Sequence, residues 1–241
     1  MSKILPGMRI VDLSLFLEQE KTLVIGDIHI GFEEAMQKQG VFLPKFHFKD
    51  LMEELESIIK RTKPETVIIN GDIKHEFSTI SDEEWRNTLK ITDYISKKAK
   101  LILIKGNHDT ILEPIAKKRD LDIRDYYSTK DLYIFHGHRM PEDIEFKNAK
   151  RVIISHDHPA LSLKEGPRIE KFKCFISGKW KDKQLVVLPA FSPMSTGSDI
   201  MKEKMMSPLL QDIKEFRVFV FEKKVYDFGL VKELNKKLET D

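Results

Sequence analysis

Short β-branched and leucine-rich runs alternate with longer amphipathic stretches along the first two thirds of the chain. Leu23-Val24-Ile25, Thr66-Val67-Ile68-Ile69 and Leu101-Ile102-Leu103-Ile104 are brief and uniformly apolar, which reads as buried strands rather than helices. Helices are predicted from about Phe32, from Lys49 to Arg61, and from Ser81, where Glu84 three residues on completes a capping-box spacing. Leu132-Tyr133-Ile134-Phe135 and Val152-Ile153-Ile154 supply a fourth and fifth strand. Such alternation predicts an α/β layered domain whose sheet is covered on both faces. From about Ile169 the pattern becomes antiparallel. Lys171 to Ser177 and Gln184 to Ala190 flank the polar turn Gly178 to Lys183, and Phe216 to Glu222 and Val225 to Phe228 flank Lys223-Lys224. A helix from Val231 to Leu238 closes the chain. The late strands predict a second sheet packed on the first, within a single domain over residues 1–241.

Composition narrows the possibilities. The 241 residues carry 41 Lys and Arg against 39 Asp and Glu, a net charge of +2 that excludes nucleic-acid binding by bulk charge but leaves room for a local basic groove. The long charge-free stretch beginning at Leu185 is broken by prolines and a glycine, so no membrane span is expected. The opening Met-Ser-Lys-Ile-Leu-Pro-Gly does not read as a secretory leader. The lone Cys174 permits no internal disulfide and fits a reducing compartment. A soluble, cytoplasmic protein is the expectation.

The candidate chemistry lies in the eight histidines. All but His47 fall in polar clusters immediately after predicted strands: Gly26-Asp27-Ile28-His29, Gly71-Asp72-Ile73-Lys74-His75, Gly106-Asn107-His108-Asp109, His136-Gly137-His138 and Ser155-His156-Asp157-His158. Ligand sites of open α/β sheets gather outside the carboxyl ends of the strands, so these clusters can converge. Any one of them alone reads as a turn or a cap. Together they form a dense polar group that needs a partner, and a cation is the natural one. Carboxylates, an amide oxygen and imidazoles without thiolates suit manganese, iron or zinc. Their number fits two ions sharing one carboxylate, roughly 3.5–4 Å apart.

The ordered motifs, Asp27-x-His29, Gly71-Asp72, Gly106-Asn107-His108-Asp109, His136 and His156-x-His158, resemble those of the calcineurin-like metallophosphoesterase superfamily. The resemblance implies a four-layer α-β-β-α sandwich of two mixed sheets and a metal-dependent phosphoesterase that attacks its substrate with a metal-activated water. It implies two divalent ions, manganese foremost with zinc or iron as alternatives. Asp27, His29 and His158 would hold one, Asn107, His136 and His156 the other, and Asp72 would bridge them. His108 resembles the catalytic histidine of the superfamily. Asp109 would orient His108 or hold its loop, and His75 would touch the phosphate or position His108. The last motif usually opens with glycine, and here Ser155 stands in its place.

Protein phosphatases of the superfamily carry an acid three residues after the bridging aspartate, followed by Arg-Gly. Here that position is His75, which, with Asp27-Ile28-His29-Ile30-Gly31 and Leu188-Pro189-Ala190-Phe191-Ser192, is similar to an archaeal SbcD-related branch of phosphoesterases. That branch implies a phosphodiester substrate, DNA or RNA, and helicase or ligase partners. A phosphatase or phosphodiesterase for a small nucleotide-like molecule is the alternative, and a non-catalytic partner-binding scaffold a third reading. Lys171, Lys173, Lys179, Lys181 and Lys183 interleave with Phe172, Phe175 and Trp180, a pattern that fits either a nucleic-acid track or an edge hairpin with a buried apolar face. His47, beside Phe46 and Phe48, reads as structural.

Overall fold

The computed structural model of the chain describes residues 1–41, 47–76, 80–109 and 112–238. Its first sheet has seven strands in chain order: β1 (Ser2–Leu5), β2 (Met8–Val11), β3 (Ser14–Leu17), β4 (Thr22–Gly26), β5 (Thr66–Asn70), β6 (Lys100–Ile104) and β7 (Asp122–Arg124). β1 to β4 form an antiparallel meander, and β4 to β7 are parallel. Parallel neighbours need crossovers. These are α1 (Phe32–Lys38) with α2 (His47–Thr62), then α3 (Asp82–Ser96), then α4 (Glu113–Arg119).

The second sheet has nine strands: β8 (Tyr126–Ser128), β9 (Leu132–Phe135), β10 (Arg151–Ile154), β11 (Pro159–Glu165), β12 (Arg168–Trp180), β13 (Lys183–Val187), β14 (Ser198–Asp199), β15 (Arg217–Phe221) and β16 (Val225–Leu230). Its main order is β14-β11-β12-β13-β10-β9-β8, with β15 and β16 joined on through β12. β10 runs parallel to β9 and β13, while the β11–β12, β12–β13 and β15–β16 pairs are antiparallel. Two short helices, α5 (Ile144–Asn148) and α6 (Val231–Leu238), complete the described elements.

The uniformly apolar runs follow from burial on both faces. Val24, Ile68 and Ile102 point into a core between the sheets, where they meet Ile134, Ile153, Phe175 and Val186 of the second sheet. Their neighbours Leu23, Ile25, Val67, Ile69, Leu101 and Leu103 point the other way, against Leu51, Leu55 and Ile58 of α2 and Ile91 and Ile95 of α3. Across the molecule, Val152, Ile154, Leu185 and Val187 pack against Phe146 of α5 and Val231 and Leu234 of α6. Period-two alternation therefore feeds two different cores from one strand, giving the α-β-β-α sandwich of two mixed sheets. Among the described residues no helix is long and apolar enough to cross a membrane.

Two features depart from the sequence reading. Leu132–Phe135 and Val152–Ile154 belong to the second sheet, because the chain passes from the edge strand β7 directly into β8, whose partner is β9. The β1–β3 meander was not predicted: its strands have four residues each, too few for periodicity to register. The lysine–aromatic segment has the buried apolar face of the hairpin reading, and three of its lysines bond to loop carbonyls, while Lys179 and Lys181 are exposed. Phe175 is fully buried between the sheets, and Phe172 and Trp180 pack on the outer core. Lys183 donates to the carbonyls of Lys147 (2.8 Å) and Ala149 (2.7 Å), Lys173 to those of Ala190 (3.0 Å) and Ser192, and Lys171 to that of Gly197 (3.1 Å). These ammonium groups fasten loops. Cys174 lies beside them, fully buried, and burial pushes its thiol well up.

One half-buried acid makes stability depend on pH. Burial, with repulsion from Asp12, raises the Glu54 carboxyl to about 7 against the attraction of Lys173 and Arg61. The folded chain then keeps this proton to a higher pH than the unfolded chain does, so stability falls as pH rises from the ordinary carboxylate value of 4.5 towards 7. Glu54→Gln is expected to remove that part of the slope. It should be more stable than the parent at pH 8 by on the order of 2 kcal/mol, after allowance for partial exposure, and not at pH 4. Urea melts at the two pH values decide the matter, and identical pH slopes in both proteins would count against it.

Candidate metal centre

The five polar clusters leave the carboxyl ends of β4, β5, β6, β9 and β10, so both sheets contribute to one crevice. The first two loops run side by side as a short parallel extension of the sheet. His29 N–H donates to Asp72 O (2.9 Å), Ile30 N–H to Ile73 O (2.8 Å) and His75 N–H to Ile30 O (2.9 Å). Across the sandwich, His156 N–H donates to Asp27 Oδ2 (3.1 Å), and the Asn70 side-chain amide donates to Phe135 O (2.9 Å). The sheets are thus stitched together at the crevice itself.

Two glycines of the motifs make room for the neighbouring donors. A Cβ on Gly71, whose φ is +84°, would lie 2.0 Å from His136 Nδ1, and one on Gly106 would lie 2.1 Å from Asp72 Oδ1. Asp27, His29, Asp72, His156 and His158 all adopt left-handed backbone, with φ between 40° and 56°. Non-glycine residues rarely do so, and the cost is about 1–3 kcal/mol each.

The side chains converge in two groups that share Asp72. In the first, donor atoms of Asp27, His29, Asp72 and His158 all lie within 4.8 Å of one another, and in the second those of Asp72, His136 and His156 do. His29 Nε2 and His158 Nε2 face each other at 3.4 Å, as do His156 Nδ1 and His136 Nε2 at 3.1 Å. Asn107 Oδ1 joins the second group, 3.0 Å from His136 Nε2. All seven residues expected as ligands meet here, and Asp72 lies where the sequence reading placed the bridge. The donor set fits divalent cations on two observations. Asp27 Oδ1 is buried without a hydrogen-bond partner, and pairs of imidazole nitrogens, His29 with His158 and His156 with His136, converge on the same small space, as ligands of a common cation do.

Charge states agree. Burial, helped by neighbouring imidazoles, pushes His156 down to about 3 and His29 well below its ordinary value, so both are neutral at physiological pH, the form in which an imidazole can bind a metal. Burial works against ionisation of Asp72 as well, but hydrogen bonding and attraction from His136 outweigh it and hold the carboxyl well down. His136 is pushed up to about 9, its burial outweighed by Asp72 and Asp27. A cation bound here would have to displace the proton that His136 otherwise keeps.

Several supporting groups carry no obvious mark in the sequence. Ser155 Oγ donates to Asn70 O (2.6 Å), so it accepts from His136 Nδ1–H (3.3 Å) and leaves Nε2 with its lone pair for the site. Ser195 Oγ shares a hydrogen bond with His158 Nδ1, at 3.1 Å. Glu84, read as a capping box, forms that box, and its Oε1 also accepts from the N–H groups of His75 (3.2 Å) and Glu76 (3.3 Å). Asp157, buried between two histidines, accepts from Met206 N–H (2.5 Å) and Ser207 N–H (3.0 Å).

Beside the two groups stands an imidazole wall of His29, His75 and His108, another set whose nitrogens come within 4.8 Å. His108 N–H donates to Asp72 Oδ1 (3.0 Å), and its Nδ1–H donates to His75 O (2.5 Å), which leaves Nε2 for the pocket. The His75 ring stacks on that of His108 at 5.9 Å. Asp109 bonds to loops: Oδ1 accepts from Ile73 N–H (3.0 Å) and Lys74 N–H (3.4 Å), Oδ2 from Gly106 N–H (3.0 Å). Of the two tasks left open for Asp109 by the sequence, these bonds serve loop holding. His138 is half-buried, its ring 5.3 Å from that of His136, and it belongs to neither ligand group. His47 begins α2 and its N–H donates to Glu33 Oε1 (3.0 Å), whereas Phe46 lies outside the described residues.

The sequence profile of the calcineurin-like phosphoesterases matches residues 20–221. The chain belongs to that family. It is a metal-dependent phosphoesterase, a hydrolase of ester bonds. Among solved structures, the Pseudomonas putida nuclease MPE is similar, at 19% identity and a TM-score of 0.65, over 90% of this chain and 92% of that one. The phosphoesterase YfcE from E. coli aligns at 10% identity and TM-score 0.40 over 87% and 98% of the two chains. The protein AQ665 from Aquifex aeolicus, of unknown function, aligns at 22% and 0.39 over 57% and 78%. None of the curated proteins matches the chain. At 19% identity the likeness to the nuclease is one of fold.

In this phosphoesterase, Gly106→Ala is expected to displace the Asp72 carboxylate and to reduce affinity for manganese at least about tenfold. Ser155→Ala, which frees His136 to rotate, should cost about tenfold with smaller loss of stability. Calorimetric titration of the metal-stripped variants checks both, with parent-like affinity as the contrary result.

Proposed function

We propose that the enzyme is a dinuclear phosphodiesterase acting on nucleic acid, of the SbcD-related kind. One observation carries the choice of a diester. The pocket over the centre is lined by His29, Asp72, Asn107, His108, His156, Asp157 and His158 with apolar and hydroxyl-bearing residues, and among the described residues no lysine or arginine lines it. A phosphomonoester brings a charge of about −1.5 to −2, whereas a diester brings only one negative charge and needs less fixed positive charge to hold it. The nuclease MPE of Pseudomonas putida, which shares the fold, supports a polymeric diester as substrate.

Asp27, His29 and His158 would hold one cation, Asn107, His136 and His156 the other, with Asp72 common to both; manganese suits this set, with zinc or iron as alternatives. Bound there, the pair supplies positive charge to the phosphate oxygens and makes water acidic enough to act as nucleophile near neutral pH. The chain's own groups then orient and protonate. Ser155 and Ser195 fix the rotation of His136 and His158. His75 O fixes Nδ1–H of His108, so Nε2 is the atom that carries a proton to the leaving oxygen. Glu84 and Asp109 hold the loops that bear His75 and His108. A helicase or ligase partner belongs to the same reading.

The manganese-loaded enzyme is expected to cleave labelled oligonucleotides and a generic diester, and to act far more slowly on a generic monoester. His108→Ala should lower kcat about 10²–10⁴-fold while binding metal normally, and Asp72→Asn should lose both activity and metal. Cleavage of diesters and nucleotides with oligonucleotides intact would favour the small-molecule alternative. Equal rates in the His108→Ala control would assign the activity to a contaminant.

A further inference from the structure

Met206 is 65% exposed, the highest value among the large apolar side chains described as exposed. Isolated surface apolar residues are ordinary, but this one is held in place. Its neighbours Met205 and Ser207 are buried, its own N–H and that of Ser207 are gripped by Asp157, and Ser207 Oγ donates to Gly137 O at 2.7 Å. The motif that carries His156 and His158 thereby also fixes the backbone of an exposed methionine at the pocket over the metal centre. Met194 and Phe32, each partly buried, line the same pocket. The loop bearing Met194 is fastened as well, through Lys173 to the carbonyls of Ala190 and Ser192 and through Ser195 to His158.

We infer that Phe32, Met194 and Met206 form a subsite for the nucleobase adjoining the scissile phosphate. This rests on the nucleic-acid reading above and adds a residue-level account of how the substrate is held. The pocket floor takes the phosphate. Ser195, Thr196 and Ser198 of the same pocket can meet sugar hydroxyls, whereas one aromatic ring and two thioethers suit a flat π-face, through stacking on Phe32 and sulfur–aromatic contact with the methionines. Such contacts do not discriminate among bases. They do distinguish a strand with bases from one without.

The test uses the manganese-loaded full chain and two labelled single strands of equal length, one of ordinary nucleotides and one in which abasic spacers replace the interior nucleosides. Both carry the same phosphates. The parent is expected to show a KM about five- to tenfold lower for the base-bearing strand. In Met206→Ser, and more completely in Met194→Ser with Met206→Ser, that ratio should fall towards one, through a rise in KM for the base-bearing strand. A variant that keeps the ratio, or raises both KM values alike, overturns the subsite while leaving the nuclease reading intact. Hydrolysis of a generic diester with both strands uncut overturns the nuclease reading and the subsite with it.

Discussion

Everything at the crevice answers to one constraint: carboxylates and imidazoles from five strand ends are pressed together out of water. Such a cluster is unfavourable by itself, since buried polar groups need partners and like dipoles repel. Five of its backbones also sit in the left-handed region. The arrangement becomes favourable only around positive charge, and the fold spends stability elsewhere to keep it assembled. Three apolar cores, two outside the sheets and one between them, supply that rigidity.

Position follows from topology. The parallel half of the first sheet aims β4, β5 and β6 in one direction, and the parallel pair β9 and β10 of the second sheet aims at the same place. Hydrogen bonds that cross the sandwich, Asn70 to Phe135 and His156 to Asp27, lie at the donors themselves. A shift of one sheet against the other would therefore be felt first at the metal centre, where tolerance is least.

Much of this was legible in the residues. Val67-Ile68-Ile69 and its counterparts announce strands because both faces need apolar side chains, and the glycine-aspartate and asparagine-histidine pairs announce themselves by following those strands. Less legible was anything that depends on partners distant in the chain. Nothing around Ser195 marks it as a support for His158, and Glu84 reads as a helix cap although it also holds the His75 loop. The loop-fastening bonds of the lysines among Phe172, Phe175 and Trp180 were out of view for the same reason, their carbonyl partners lying 17 residues away for Lys173 and 34 for Lys183. Sheet membership of β9 and β10 was equally hidden, because an apolar strand carries no record of which sheet it joins.

Ser155 occupies a position where the superfamily's pattern has glycine, and the space it needs is found opposite. A Cβ on Gly26 would lie 2.7 Å from that of Ser155, so the last residue of β4 and the first after β10 compete for one volume. Whichever of the two bears a side chain, the other must go without. The two positions are coupled: a side chain at position 26 is admissible only with the loss of the one at position 155, and with it the hydroxyl that holds the ring of His136.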